Sequence, residues 1–328
     1  MSVKSLLAGD VLMVSVDDIE QARNRIKGHI KNTPLHHSPY LSELIQGSVF
    51  LKLESEQVTG SFKVRGALNR LMTLTKEETA RGVITASTGN HGLGTAFAAK
   101  QLGISAQVVF PKEASAVKLK KMQKAGVEVI QDVGYEEVEP YARKLAKDRG
   151  MTYVSPYNDP MIVAGAGTSG LEIVEQLDNI DAVIVPIGGG GLISGIATAI
   201  KAMSPHTEMI GVQSEVSPEV YESWKAGHWV DAEESNSLAQ GLMGGVESDS
   251  ITLDIIQAKL DRIVLVSEKS ILEAIRVLYE KEKLVIEGAG AASTAVLLEQ
   301  KSELEGKRVV AVVSGGNISE EEVISLLS

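Results

Sequence analysis

The chain has 328 residues, 44% of them hydrophobic and 23% charged, which predicts a soluble globular protein of two domains. Its formal charge of −11, without a basic run, argues against nucleic acid as a partner, and the absence of cysteine excludes disulfides, thiolate metal sites and cysteine nucleophiles. Neither a signal-peptide layout nor an apolar run of about 18 residues occurs, so we expect a cytoplasmic protein without membrane contact.

Short β-branched runs alternate with amphipathic helical stretches along the chain. In chain order the strand candidates are SVFLKLE, GVITAS, AQVVF, VEVI, DAVIVPI, EMIGVQ, RIVLVS and RVVAVVSG. Strands without polar interruptions are typical of parallel sheets buried on both faces, so we predict an α/β fold. The segment YVSPYNDP, with two prolines and an asparagine, is the best internal boundary. We expect a small domain over residues 71–155 and a discontinuous large domain over 1–70 and 156–328.

Lys63 stands in the segment TGSFKVRGALNR, where a small-residue turn leads into a helical pattern. Most lysines are solvated surface charges, and a reactive lysine needs burial or special neighbours that lower its pKa. By itself Lys63 is therefore only a candidate, and other motifs must support a chemical role.

The segment ITASTGNHGLG indicates a strand, a loop and a helix, and its loop carries Ser87, Thr88, Asn90 and His91. Hydroxyls, an amide and backbone donors at a helix N-terminus suit a carboxylate, whereas a capping turn alone needs only one hydroxyl. A lone histidine such as His91 is more often structural than catalytic. The six histidines show no metal-ligand spacing.

Three glycine-rich segments stand out. GAGTSG at 165–170 matches the dinucleotide pattern, but a poor strand precedes it, so we interpret it as close helix packing and keep a nicotinamide oxidoreductase only as an alternative. PIGGGGLISG leads from a strand into a helix predicted to begin at Leu192, and its backbone N–H groups suit a phosphate. In SGGN, Ser314 emerges at a strand end, where ligands gather, or belongs to an ordinary turn.

Together these motifs resemble the serine/threonine dehydratases, which belong to the tryptophan synthase β-like (fold type II) class of pyridoxal phosphate enzymes, and above all the short catabolic threonine dehydratases. The matching segments follow the family's order over nearly the whole chain: KNTPLHHSPYLS, GSFKVRGA, STGNHG, PYNDP, PIGGGGLISG, SLAQGL, EGAG and SGGN. The resemblance implies two three-layer αβα domains with mostly parallel twisted sheets, and an active site between them. It also implies a cofactor, pyridoxal 5'-phosphate, bound by the large domain, a small amino acid as substrate, and a homo-oligomer (dimer or tetramer).

By this resemblance Lys63 would form the Schiff base and act as the catalytic base, with Phe62 beside the cofactor ring. Asn90 would bond the ring hydroxyl, and Ser314 would face the pyridine nitrogen. Gly241 would line the ring edge, with Glu287 nearby. The phosphate would be held by the N–H groups of Gly188, Gly189, Gly190, Gly191 and Leu192. The substrate carboxylate would be received by Ser87, Thr88, Gly89 and His91.

The activity implied by the resemblance is that of an ammonia-lyase, which converts a β-hydroxy-α-amino acid of the L-threonine or L-serine type to a 2-oxo acid and ammonia. Racemases of this family place a serine at position 88, so the hydroxyl of Thr88, a candidate acid/base, leaves serine racemase as an alternative. Leu93 and Gln240 replace a glutamine and an aspartate common in the family, which leaves a larger substrate open, such as 3-hydroxyaspartate or phenylserine.

Three further expectations concern metals, regulation and catalysis. Gln213 stands where cation-dependent relatives have glutamate, and although Glu215 and Glu219 are nearby we predict no metal site. Little sequence follows SGGN, so we expect no isoleucine-binding regulatory domain of the kind that biosynthetic threonine dehydratases carry. A non-catalytic protein that only binds the cofactor remains a further alternative.

Overall fold

The computed structural model describes residues 14–87, 89–113, 116–134, 137–244 and 246–328. The helices in these ranges are α1 Val16–Ile26, α2 Pro39–Leu44, α3 Lys63–Leu71, α4 Lys76–Arg81, α5 Asn90–Leu102, α6 Ala116–Lys124, α7 Val138–Arg149, α8 Pro160–Gln176, α9 Gly191–Met203, α10 Glu219–Ala226, α11 Ile251–Lys259, α12 Glu268–Glu280, α13 Gly288–Glu299 and α14 Glu320–Leu327. The strands are β1 Leu35–Ser38, β2 Ser48–Leu53, β3 Val83–Ala86, β4 Ala106–Pro111, β5 Glu128–Val133, β6 Thr152–Tyr153, β7 Ala182–Pro186, β8 Glu208–Ser214, β9 Arg262–Val266 and β10 Arg308–Val313.

A six-stranded sheet has the order β1-β2-β10-β7-β8-β9 and is parallel except for β1. Alternate residues of its central strands enter cores on opposite faces. Val309 and Ala311 of β10 pack with residues of α13, whereas Val310 and Val312 pack with residues of α9. Because side chains alternate along a strand, helices cover both faces of this sheet. The predicted α/β class with mostly parallel sheets is confirmed.

A four-stranded parallel sheet has the order β5-β4-β3-β6. Val83 of β3 lies in a core shared with α5 and α3, and its neighbour Ile84 lies in a core with α7 on the other face. Two edge strands were missed by the sequence prediction. The β1 sequence LHHS has two exposed histidines at its centre and lacks β-branched residues, and β6 has only two residues.

The GAGTSG segment lies inside helix α8. A Cβ atom on Gly165 would lie 2.6 Å from Arg65 O, and one on Gly167 would lie 2.9 Å from Gly195 O. These glycines therefore permit α8 to pack closely on α3 and α9, as predicted. In the part of the chain that the structure describes, no helix combines the length and the apolar character needed to cross a membrane.

Helix α3 is anchored by a buried ionic network. Arg65 is fully buried and donates to Glu54 (Nε–Oε2, 2.7 Å) and to Glu172 (Nη1–Oε1, 2.7 Å). Lys52, also fully buried, donates to Glu172 (Nζ–Oε2, 2.7 Å). Thr33 contributes its N–H to Glu172 (3.1 Å) and its hydroxyl to Glu54 (2.7 Å). Two cations and two carboxylates thus balance inside the protein, and they join β2, α3 and α8.

Candidate active site

Lys63 is the first residue of α3, and its backbone is held from two sides. The N–H of Phe62 donates to Ser314 O (3.1 Å), and Ser61 forms an isolated antiparallel bridge with Gly315. On the other side α5 approaches so closely that a Cβ atom on Gly94 would lie 3.0 Å from the carbonyl carbon of Lys63. The structure therefore fixes Lys63 between the end of β10 and helix α5.

The side chain of Lys63 is half-buried. Its Nζ donates to Pro156 O (2.9 Å) and lies 5.1 Å from the centroid of the Phe62 ring. Burial lowers the pKa of Lys63 to about 8. At neutral pH roughly a tenth of such a group is the free amine, far more than for a solvated lysine. This amine can act as a nucleophile or as a base.

The tetraglycine loop, residues 188–191, connects β7 to α9. Gly190 has φ +82°, in the left-handed region that favours glycine. A Cβ atom on Gly189 would lie 2.3 Å from Tyr157 ring atoms, and one on Gly190 would lie 2.8 Å from Thr252 Cβ. Helix α9 begins at Gly191, one residue before the predicted start, and its first N–H groups have no acceptor within the helix. The loop and helix start therefore offer backbone donors and a positive dipole end to an anion.

Asn90 is the first residue of α5 and meets residues that lie far away in the sequence. Its Nδ2 donates to Glu287 Oε1 (2.6 Å), across 197 residues, and its Oδ1 accepts from Asn317 Nδ2 (2.6 Å). Gly315 lies against the same pair, because a Cβ atom on it would be 2.3 Å from Glu287 Oε1. The structure thus brings Asn90 and Glu287 together beside the SGGN turn.

Ser314 and Gly241 both lie next to Ala289. The hydroxyl of Ser314, which is buried, donates to Ala289 O (3.3 Å). Gly241 lies in a 3-10 helix, and a Cβ atom on it would be 3.0 Å from Ala289 Cβ. A Cβ atom on Gly188 would lie 3.3 Å from Gly241 O, so the tetraglycine loop borders the same place.

The loop after β3 contains the residues predicted to receive a carboxylate. Gly89 N–H donates to Ser87 Oγ (3.2 Å), and Gly89 precedes α5 as its N-cap. Thr88 lies outside the described residues. His91 is buried, and its Nε2–H donates to Val154 O (3.1 Å). Burial and the nearby charge of Lys63 lower the pKa of His91 to about 3, so its side chain is neutral.

Two site residues were missed by the sequence reasoning, which treated YVSPYNDP as a boundary and PYNDP as a matching segment but assigned no site residue there. Pro156 O accepts from Lys63, and the Tyr157 ring packs against Gly189. Through these adjacent residues one short segment contacts both the Lys63 amine and the tetraglycine loop. The available signal was the position of this segment between two sheets, because ligand sites favour domain boundaries.

These residues fit pyridoxal phosphate. The tetraglycine loop, which has no room for side chains, offers backbone N–H donors to a phosphate. Lys63 offers an amine of lowered pKa to an aldehyde. Ser314 offers a neutral hydroxyl, and Asn90 offers an amide, to the polar atoms of a ring. All of them contact the segment 156–157, the SGGN turn or residues directly beside these two segments.

The side chain of Gln213 is buried and hydrogen-bonded within the protein. Gln213 Oε1 accepts from Tyr221 N–H (2.8 Å). Burial, with the charges of Glu234 and Asp231, raises the pKa of Glu219 to about 7. Within the described ranges, no group of three or more histidine or acidic side chains could hold a metal ion.

Comparison with known proteins gives consistent matches. The family described as PALP, pyridoxal-phosphate dependent enzyme, matches residues 26–315. The catabolic L-threonine dehydratase TdcB of Staphylococcus aureus (strain N315) is 44% identical over 311 residues, 93% of this chain and 90% of that protein. The crystal structure of the threonine deaminase from T.th. has a TM-score of 0.86 at 35% identity, covering 93% of this chain and 99% of its own. Maize serine racemase has a TM-score of 0.89 at 31% identity, covering 95% and 98%.

Proposed function

Because the chain belongs to the family of pyridoxal-phosphate dependent enzymes, we propose that it is an ammonia-lyase (dehydratase) for L-threonine or L-serine. The products are a 2-oxo acid and ammonia. The observation that carries this proposal is that the half-buried Lys63, whose pKa is lowered to about 8, bonds Pro156, the neighbour of Tyr157, which packs against the tetraglycine loop. The threonine dehydratase and threonine deaminase relatives support the substrate class.

Lys63 has two roles in this proposal. Its amine would bind the cofactor covalently, and as a free amine it would take the proton from the substrate Cα. When bound, pyridoxal phosphate supplies an electron sink for the negative charge left on Cα. Without cofactor, Pro156 O accepts from Nζ at 2.9 Å and so orients the free amine.

The remaining residues bind and orient. The N–H groups from Gly188 to Leu192 would hold the phosphate, and Asn90, positioned by Glu287, would bond the ring hydroxyl. Ser314 is neutral and gives the ring nitrogen a hydroxyl partner, whereas a carboxylate would stabilise its protonated form. A weaker electron sink favours prompt loss of a β-hydroxyl over other fates of the Cα charge.

The substrate carboxylate is assigned to the start of α5. Ser87, Gly89 and the backbone N–H groups that follow provide the donors, with Thr88 as the proposed acid/base on the second face. His91 contributes no positive charge, because its imidazole is neutral, and its donation to Val154 O leaves Nδ1 as an acceptor.

We also propose the domain division at 1–70 with 156–328 and 71–155, with the site between the two units. Its support is that the strands of the four-stranded sheet lie within 83–153 and those of the six-stranded sheet lie outside 71–155. A homo-oligomer (dimer or tetramer) and a cytoplasmic location are proposed on the family resemblance alone. Light scattering on the purified protein and fractionation of the source cells test these two points.

The test of function uses purified protein supplied with pyridoxal phosphate. Borohydride reduction should fix the cofactor on the peptide that contains Lys63, and Lys63→Ala should abolish the label. L-Threonine, L-serine, threo-3-hydroxyaspartate and phenylserine are then screened for 2-oxo acid and ammonia. Preference for either of the last two would assign the larger substrate that Leu93 and Gln240 leave open. Cofactor binding without ammonia from any substrate would contradict the lyase.

Serine racemase is the second candidate, favoured by the similarity to the maize enzyme. It predicts that D-serine accumulates from L-serine, and that Thr88→Ala removes this activity while elimination remains. Absence of D-serine under conditions that yield ammonia would eliminate this candidate.

A further inference from the structure

Tyr157 and Asn158 are part of a frame around the tetraglycine loop. On one side of the loop Tyr157 packs against Gly189, and on the other side Thr252 Oγ1 donates to Gly189 O (2.9 Å). Asn158 joins the two sides, because its Oδ1 accepts from the N–H of Ile251, the neighbour of Thr252 (3.1 Å). The position of the loop therefore depends on how this frame is held.

Glu247 connects both frame residues. Its backbone N–H donates to the Tyr157 hydroxyl oxygen (2.9 Å), and its carboxylate accepts from Asn158 Nδ2. One residue thus fixes Tyr157 through its backbone and Asn158 through its side chain. A shift of Glu247 would therefore move Tyr157, which packs on the loop, and Asn158, which bonds the backbone beside Thr252.

The same carboxylate also contacts helix α7, which packs on the four-stranded sheet. Arg143 donates to Glu247 and, at 3.0 Å, to Glu139 Oε1, and its guanidinium carbon lies 4.2 Å from the centroid of the Tyr153 ring. Burial and the nearby carboxyl of Glu247 raise the pKa of Glu139, whereas hydrogen bonds from Glu139 and Asn158 and the charge of Arg143 lower the pKa of Glu247 despite its partial burial. A charged side chain that bonds both elements couples their positions.

We propose that Glu247 is a positioning residue that joins α7 to the frame around the tetraglycine loop, so that docking of α7 and occupation of the loop by a phosphate favour each other. This inference rests on the cofactor site proposed above. It goes beyond that site, because among the described residues Glu247 is connected to the loop through Tyr157 and Asn158. By linkage the coupling is reciprocal: the loop ligand must protect α7, and α7 must raise affinity for the ligand.

The test compares the wild-type apoprotein with Glu247→Gln and Arg143→Met. Glutamine keeps the shape and an acceptor for Asn158 but loses the charge that Arg143 bonds. Asp148→Asn is the matched control, because the Lys144–Asp148 pair lies exposed on the same helix. Two quantities are measured for each protein: the dissociation constants of pyridoxal phosphate and of inorganic phosphate, and hydrogen exchange of the α7 amides with and without each ligand.

In the wild type, ligand should slow exchange of the α7 amides about tenfold, a typical size for coupled sites. Both variants should lose most of this protection and bind each ligand about tenfold more weakly, while Asp148→Asn matches the wild type. A variant with lower thermal stability but unchanged dissociation constants and α7 protection would show a merely structural role and overturn the proposal. Wild-type protein that takes up no pyridoxal phosphate would overturn the cofactor site as well.

Discussion

Replacing Glu172 by glutamine should destabilise the protein strongly, because it unbalances the buried network on α3. Glu172 accepts from both buried cations, Arg65 (2.7 Å) and Lys52 (2.7 Å), and from Thr33 N–H (3.1 Å). The substitution leaves two cations opposite Glu54 alone, with one net positive charge out of water. Breaking a buried ion pair from one side costs about 3–5 kcal/mol. We expect a loss of that size in the free energy of unfolding, measured by urea denaturation.

Lys52→Met is then added to the Glu172→Gln variant. The double variant restores neutrality, with Arg65 opposite Glu54, so its cost should be well below the sum of the two single costs. In Glu172→Gln alone Lys52 can relieve the charge by losing its proton, since burial already lowers the pKa of Lys52. The unfolded chain then binds more protons than the folded one, so the deficit should shrink as the pH rises.

The control is Asp148→Asn, which removes an exposed ion pair and should leave the unfolding midpoint unchanged. A loss below about 1 kcal/mol for Glu172→Gln, the size of an average substitution, would refute the reasoning. The reasoning would also be refuted if the double variant lost as much free energy of unfolding as the two single variants together.

Three further predictions concern the site. Gly189→Ala should weaken pyridoxal phosphate binding more than about tenfold, because the added methyl group would lie 2.3 Å from Tyr157 ring atoms. Gly134→Ala is the control and should bind the cofactor as the wild type does, because nothing lies nearer than 3.6 Å to its methyl group. Equal affinities of the two variants would contradict the packing argument. The rate of cofactor uptake by the apoprotein should rise about tenfold between pH 7 and 9, as Lys63 with its pKa of about 8 loses its proton; a flat profile would exclude Lys63 as the capturing amine. Dialysis against a chelator should leave ammonia production unchanged, and reactivation by magnesium or calcium would show a cation site that Gln213 and Glu219 were not expected to form.

The sequence predicted those parts of the fold and site that have a local signature. The apolar runs of β7 and β10 and the turn from glycines into α9 are recognisable without any neighbour. Pairings across the chain are different: the hydrogen bond from Asn90 to Glu287 was not predicted, because no spacing encodes a contact over 197 residues. The resemblance assigned each of these residues only to the surroundings of the cofactor ring. Pro156 acts through a backbone carbonyl, which no side-chain pattern reveals. The β1 strand forms at a sheet edge by pairing with β2, so its own composition gave no signal.

The sheet order has a consequence for how the enzyme is made. β10 lies between β2 and β7, although it is the last strand along the chain. Until residues 308–313 have left the ribosome, the apolar strands β2 and β7 each have an unpaired edge in the middle of the larger sheet. The bridge from Gly315 to Ser61, beside Lys63, forms only after β10 has paired with these two edges. During synthesis these edges are therefore accessible to chaperones or to other chains. The lysine reaches its position, and the protein can bind pyridoxal phosphate, only once the sheet is complete.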